Sequence, residues 1–270
     1  MRGNGSKRCC NGRNDPTRQG VGYRVHAFLA RGHGPLRLHS QTMKKLILLL
    51  MFAVEAQAQV RVPIAVNKWQ LWNRAVNRLP IHAVAGGGIG FDFEVSAQPD
   101  PNAGPTWNGY LVSNVKNISL TGSEIVVTFA IAADPSVIWN HASDSWNTNP
   151  PPANFHVYVQ TSDANNCKEL FGICVSPQLR WWSNPGSFTL TDTGGAVELH
   201  VPITPENWSE TDGSPATDPV FYPYWVQTMN NPKWVGITFG GGSFFGHGVN
   251  VTLQPGVAVP TFTLLGWETR

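Results

Sequence analysis

The stretch Glu124-Ile-Val-Val-Thr-Phe-Ala-Ile131 decides the fold. It is dominated by β-branched residues, which are stiff at χ1 and pack better on a pleated surface than around a helix. Working outward, the same kind of signal recurs. Ile89-Gly-Phe91-Asp-Phe93-Glu-Val95 alternates apolar and polar residues, as do Phe155-His-Val157-Tyr-Val159-Gln, Ser187-Phe188-Thr-Leu190-Thr and Ala196-Val197-Glu-Leu199-His-Val201. Trp234-Val-Gly-Ile237-Thr-Phe239, Val249-Asn-Val251-Thr-Leu253 and Thr261-Phe262-Thr-Leu264-Leu-Gly-Trp267 complete a set of at least eight candidate strands. Clusters of Gly, Pro, Asn and Asp divide them, as turns should.

Helical period is weak and local. Trp69, Trp72, Val76 and Leu79 recur at steps of three and four. Val220 to Met229 reads as a short helix, with Asp218-Pro219 as cap and first turn. Many strands and one or two short helices predict an all-β chain, a single jelly-roll-type β-sandwich. The Pro/Asn stretch 147–154 reads as a long loop inside it, with a split into two domains near residue 150 as the alternative.

Composition narrows the class further. Of 270 residues only 13% are charged, with 27 Gly, 21 Pro and 11 Trp. That excludes a disordered chain, a coiled coil and collagen. The charge is unevenly spread. Residues 1–42 hold eight basic residues against the single acid Asp15, without sustained period. Met43-Lys44-Lys45, the apolar run Leu46 to Val54 and Glu55-Ala56-Gln57-Ala58 then follow. They match the basic, apolar and small-residue regions of a signal peptide cut after Ala58. The apolar run is shorter than the roughly 20 residues that span a bilayer. The expectation is a signal peptide at 43–58, an N-terminal extension at 1–42 that is non-native or disordered, and a β-sandwich domain at 59–270. A basic nucleic-acid-binding arm is the alternative for 1–42.

Residues 59–270 carry nine basic and fifteen acidic side chains, a net charge of −6, and all eleven Trp. This balance argues against nucleic acid as a partner. With no second apolar span, the expected location is periplasmic, secreted or cell-surface. Two cysteines fall in this part, Cys167 and Cys174, within Cys-Lys-Glu-Leu-Phe-Gly-Ile-Cys. In an oxidising compartment they predict a local disulfide, worth roughly 2–3 kcal/mol on the chain-entropy model.

The tryptophans are the leading chemical signal. Trp107, Trp139 and Trp146 are expected in polar, Asn- and Pro-rich loops rather than in apolar runs. Trp139-Asn140-His141-Ala-Ser-Asp144-Ser-Trp146-Asn147 combines two indoles with amide, imidazole and carboxylate groups. Flat aromatic faces stack on the apolar C–H surface of a pyranose, and the polar groups match its hydroxyls. The competing reading places these indoles in the sandwich core. Trp181 and Trp182 cannot face the same core if they share a strand, so one packs inside and the other lies on an outer face or under a loop. Phe239-Gly-Gly-Gly242-Ser-Phe-Phe-Gly246-His247-Gly248 lacks the Lys-Ser/Thr of a phosphate loop and reads as a wide turn, with His247 able to line a pocket.

Catalytic patterns are sparse. Glu198 and His200 share a strand face and are the best acid/base pair on offer, while no Gly-x-Ser-x-Gly elbow occurs. No cofactor is expected, and no strong calcium loop is present, although a jelly roll can hold a structural calcium through carbonyls.

The segments Trp181-Trp182-Ser-Asn-Pro, Pro205-Glu-Asn-Trp208-Ser, Val235-Gly-Ile-Thr-Phe-Gly-Gly-Gly242 and Gly246-His-Gly-Val249, with a closing Phe262-Thr-Leu strand, resemble the terminal strands of secreted bacterial carbohydrate-binding, galactose-binding-like jelly rolls. The resemblance covers residues 180–270 and implies fold more than activity. The expected function is that of an exported, non-catalytic, lectin-like protein whose partner is a polysaccharide or surface glycan. The candidate ligand residues are Trp139, His141, Asp144, Trp146, Asn147, Trp182 and His247. The alternatives are a structural or adhesive envelope protein without small ligand, and a polysaccharide-cleaving enzyme.

Overall fold

The structure, a computed structural model, describes residues 59–270 except 74, 76, 97–106, 121, 142–151, 162–167, 171–172, 176–178, 211–212 and 242–247, with backbone alone for 168–170, 173–175 and Pro185. The predicted signal peptide at 43–58 and the extension at 1–42 lie outside the described residues. Strands are numbered in chain order. The larger of two antiparallel sheets has nine. Its main run is β13 (Trp208–Ser209), β11 (Arg180–Thr189), β8 (Asn154–Gln160), β14 (Trp234–Gly240), β5 (Asn108–Asn114), β1 (Trp69–Asn73) and β2 (Arg78–Leu79). To one side β15 (Val249–Thr252) pairs with β5 and with β7 (Ile138–His141). The smaller sheet has five strands, in the order β12 (Val197–Pro202), β6 (Glu124–Ala132), β16 (Thr261–Thr269), β4 (Ile89–Asp92) and β3 (His82–Ala83). A separate hairpin joins β9 (Lys168–Leu170) to β10 (Ile173–Val175).

The two sheets pack as an all-β sandwich, as the alternating runs predict. The eight sequence-read strands correspond to β4, β6, β8, β11, β12, β14, β15 and β16. Phenylalanines lock the layers together. Phe91, Phe129 and Phe262 come from the smaller sheet, Phe155 and Phe239 from the larger. Phe129 meets Phe155 edge-on at 4.8 Å, Phe239 meets Phe262 edge-on at 5.3 Å, and Phe91 stacks on Phe262 at 5.5 Å. Such pairs add about 0.5–1.5 kcal/mol each beyond the area they bury. Two indoles at the margins of this core donate to carbonyls: Trp69 Nε1 to Pro63 O at 2.9 Å and Trp208 Nε1 to Pro202 O at 3.0 Å.

Two local readings change. Trp69 to Leu79 is a strand pair rather than a weak helix: Leu71 faces Leu79 and Trp72 faces Arg78. The three-residue step from Trp69 to Trp72 carries the two indoles to opposite faces of β1, Trp69 into the core and Trp72 to the outside. β5, Asn-Gly-Tyr-Leu-Val-Ser-Asn, carries the polar and glycine content of a turn, yet it pairs with β1, β14 and β15. The predicted helix is present as α1 (Tyr222–Asn230), which buries Trp225, Thr228 and Met229. Asp218 prepares it: its Oδ1 accepts from Val220 N at 2.8 Å, and its carbonyl accepts from Phe221 N and Tyr222 N. In the β9–β10 hairpin Cys174 pairs with Glu169 through the backbone. Cys167 and the Cys174 side chain, and with them the predicted disulfide, lie outside the described residues.

Candidate functional site

A half-buried antiparallel sheet normally turns one apolar face to the core and one polar face to water. The smaller sheet obeys this. β12 and β16 alternate between covered and open positions along their length. The larger sheet does not. Every residue of β8 is buried, and so is every residue of β14 after Trp234. Its outer face therefore carries packing of its own.

Strand register sets that face out in three transverse rows. In the first, Arg78 on β2 is followed by Trp72, Tyr110, Thr238 and His156 on β1, β5, β14 and β8. In the second, Gln70 is followed by Val112, Gly236, Tyr158 and Trp182, ending at Ser209 on β13. In the third, Asn114 is followed by Trp234, Gln160 and Arg180. Neighbouring positions in a row are about 4.8 Å apart, so five strands span roughly 19 Å. Val112, Tyr158 and Trp182 form the buried floor, and the half-buried rings of Trp72, Tyr110 and Trp234 pack around it. Tyr158 lies 5.1 Å from Trp182 and 5.7 Å from Tyr110 between ring centroids. At Gly236 a Cβ would run into the Leu111 carbonyl and come within 2.8 Å of Val112 Cα, so this position tolerates only glycine.

Polar groups interleave with the rings. β11 bulges away from β8 between Trp182 and Ser187, and Ser183 fills the break. Its Oγ accepts from Val157 N at 2.9 Å and donates to the Gly186 carbonyl. Its carbonyl, which can only accept, lies 2.5 Å from His156 Nδ1, so the His156 proton sits on Nδ1. Tyr158 donates its hydroxyl to Gln160 Oε1. Among the described residues, Thr238 Oγ1, on a residue 0% exposed, and Arg180 Nε are buried atoms of this face with no hydrogen-bond partner. Buried polar atoms are rarely left so, and where they are, a site is worth looking for.

The nine strands of this sheet hold no Asp or Glu; the five strands opposite hold Asp92, Glu124, Glu198 and Glu268. The acids of the smaller sheet are tied into a chain of ion pairs. Arg61 reaches Glu268 at 2.8 Å, Arg270 reaches Glu268 at 2.7 Å and Glu198 at 2.8 and 3.1 Å, and His200 lies 3.1 Å from both Glu198 and Glu124. The Arg270 guanidinium holds the Glu198 carboxyl below its usual range. Glu198 and His200 do stand together, as their spacing predicts. A carboxylate held ionised by an arginine is shifted in the wrong direction for a general acid.

The sequence-derived ligand residues divide accordingly. Trp182 reaches the outer face while Trp181 enters the core, the split that their adjacency requires. Trp182 is only 1% exposed, so it is floor rather than platform. Trp139 lies in a strand, not a polar loop, and is turned inward, its ring edge-on to Phe93 at 4.9 Å. His141 pairs with Val249 on that same inward side of β7, close against Gly241, where a Cβ would collide with the imidazole. Trp107 is buried in the core. It is Asn140 that faces outward, donating to Asn250 Oδ1 at 3.0 Å and Thr252 Oγ1 at 2.9 Å. Asp144, Trp146, Asn147 and His247 lie outside the described residues.

Sequence reasoning missed Trp72, Tyr110, Tyr158, Arg180 and Trp234. A usable signal was present in Phe155-His-Val-Tyr-Val-Gln, where the positions alternating with the apolar core set are His156, Tyr158 and Gln160 rather than small or charged residues. Among the described residues, no cluster of three or more His, Cys, Asp or Glu has the arrangement of a metal site, and no helix is long and apolar enough to cross a membrane. No family model matches the chain, and no curated protein matches it by sequence.

Proposed function

We propose that this is an exported carbohydrate-binding protein, and that its ligand lies across the outer face of the larger sheet. The observation that supports this reading is the interleaving of Trp72, Tyr110 and Trp234, all half-buried, with Gln70, Gln160 and Arg180 on a sheet face where solvated polar side chains are expected. Indole and phenol rings give large contact area for little conformational entropy, and planar amides donate and accept at once, as sugar hydroxyls require. Trp182 and Tyr158 serve as the rigid floor that holds the upper rings in place.

The test is a glycan array probed with the full chain and with Trp234→Ala and Trp72→Ala. Binding that falls about tenfold or more in each variant, with unchanged circular dichroism, is the expected result. Failure of the unmodified chain to bind any glycan would overturn the reading. A structural or adhesive role is the second reading, favoured by the burial of Trp69, Trp181, Trp208 and Trp267, whose indoles are taken up by the interior of the sandwich.

A further inference from the structure

We propose, resting on the carbohydrate reading, that the outer face of the larger sheet selects an anionic glycan, a hydroxyl-rich polymer bearing carboxylate groups, and that Arg180 is the contact for the carboxylate. Three observations lead there. The first is the charge partition: the sheet has no acidic residue in any of its nine strands, and its outer face carries Arg78 at one margin and Arg180 near the other. Glu210, the residue after β13, is fully buried and adds no exposed carboxylate to this face.

The second is the state of Arg180. It alternates with core-facing Trp181 and shares the outer side with Trp182. The residue is half-buried, and its Nε is shielded from solvent without a hydrogen-bond partner. Among the described residues, the acids of the smaller sheet lie on the far side of the sandwich, where Arg61 and Arg270 already engage Glu198 and Glu268. A guanidinium presents a planar fork that matches the two oxygens of a carboxylate. The third is placement. Arg180 and Trp234 occupy the same transverse row with Gln160 between them. Two strand spacings, about 10 Å, separate them. A ring stacked on Trp234 can thus continue into a neighbouring residue whose carboxylate meets Arg180 and whose hydroxyls meet Gln160.

Charge also sets the density of anions such a polymer can carry. With a net charge of −6 over residues 59–270, a close-packed polyphosphate would be repelled by the domain as a whole. The hydrogen-bonding groups between the rings are amides, a hydroxyl and an imidazole, which suit sugar hydroxyls rather than a phosphodiester backbone.

The experiment is isothermal titration of the purified full chain with polygalacturonate, dextran, dextran sulfate and oligothymidylate, repeated with Arg180→Gln, Arg180→Lys, Trp234→Ala and Arg61→Gln. Circular dichroism establishes that each variant is folded. Polygalacturonate is expected to bind about tenfold or more tightly than dextran. Arg180→Gln should abolish that preference, Arg180→Lys should keep part of it, Trp234→Ala should weaken both polymers, and Arg61→Gln should change nothing. Equal affinity for dextran and polygalacturonate, or a preference that survives Arg180→Gln, overturns the carboxylate contact and leaves the carbohydrate reading standing. Tighter binding of dextran sulfate replaces carboxylate by sulfate and overturns the proposal as stated. Tighter binding of oligothymidylate overturns it in favour of nucleic acid. If no polymer binds, both readings fall.

Discussion

The two outer faces of this sandwich solve the same problem in opposite ways. Each must present a surface that is not core. The smaller sheet does so with ions: Glu124, Glu198, Glu268, Arg61, Arg270 and His200 form a connected network. That network roofs Val126, which is 0% exposed although it lies on the outward side of β6. The larger sheet does so with rings and amides, and keeps acidic residues off its strands altogether. Exposed ion pairs hold long side chains only loosely, because water competes for both partners. Fused aromatic contacts hold their members tightly. The first arrangement tolerates substitution, and the second is built to keep a shape.

The sharpest way to break this contrast is Trp182→Ala. If the outer face of the larger sheet is packed like an interior, removing its floor should lower stability by about 3–5 kcal/mol in urea unfolding, as for a core aromatic. A loss within the range of ordinary surface substitutions would mean that the floor is decorative. Gly236→Ala comes next. Its new methyl group has to displace the β5 backbone at Leu111 and Val112, and a loss of about 1–3 kcal/mol is expected. An unchanged midpoint would show that β14 and β5 have room to separate.

Thr238→Val should have the opposite sign. It removes a buried hydroxyl that lacks a partner while keeping the shape, so a gain on the order of 1 kcal/mol is expected in the absence of ligand, together with weaker glycan binding. Loss of stability would reveal a hidden partner for that hydroxyl. The smallest effect belongs to the ionic face. Glu198 is held below its usual range by Arg270, so the folded chain binds that proton less readily than the unfolded chain. Its contribution is present above the ordinary Glu range, near 4.3, and fades as pH falls through that range and below it. Unfolding midpoints measured from pH 7 down to pH 3 should lose this component in Arg270→Gln. An identical pH profile would uncouple the pair.

The legible part of the fold was the part in which composition and period agree. Strands such as Glu124–Ala132 and Thr261–Thr269 alternate between a wet and a dry face, and their β-branched and aromatic residues leave no helical option. The illegible part was a consequence of the same rule. Where both faces are packed, as in β8, alternation no longer distinguishes in from out, and Tyr158 looks like any other strand aromatic. β5 escaped because Asn108, Gly109, Ser113 and Asn114 carry the composition of a turn. The site suffered in another way. Its members come from five strands and meet only through register, and the stretch of sequence around Trp139 and Trp146 offered a denser local cluster. Trp182 was found because the Trp181-Trp182 dipeptide forces one ring out of the core. Trp72 and Trp234 had no such neighbour to betray them.

The margins of the larger sheet also bear on whether a further strand can be added to it. A wide sheet with a sticky face invites another chain to add itself along an open side, and from there to grow into fibres. Here the main run finishes in β13 and β2, each only two residues long. Beyond β13 the chain doubles back on itself, with Ser209 bridging Pro215 and Ala216 N donating to Trp208 O at 2.9 Å. Proline has no amide hydrogen to offer a newcomer, and Pro80 directly follows β2 at the other margin. The main run of the sheet is thus poorly suited to recruiting a further strand at either of its two ends.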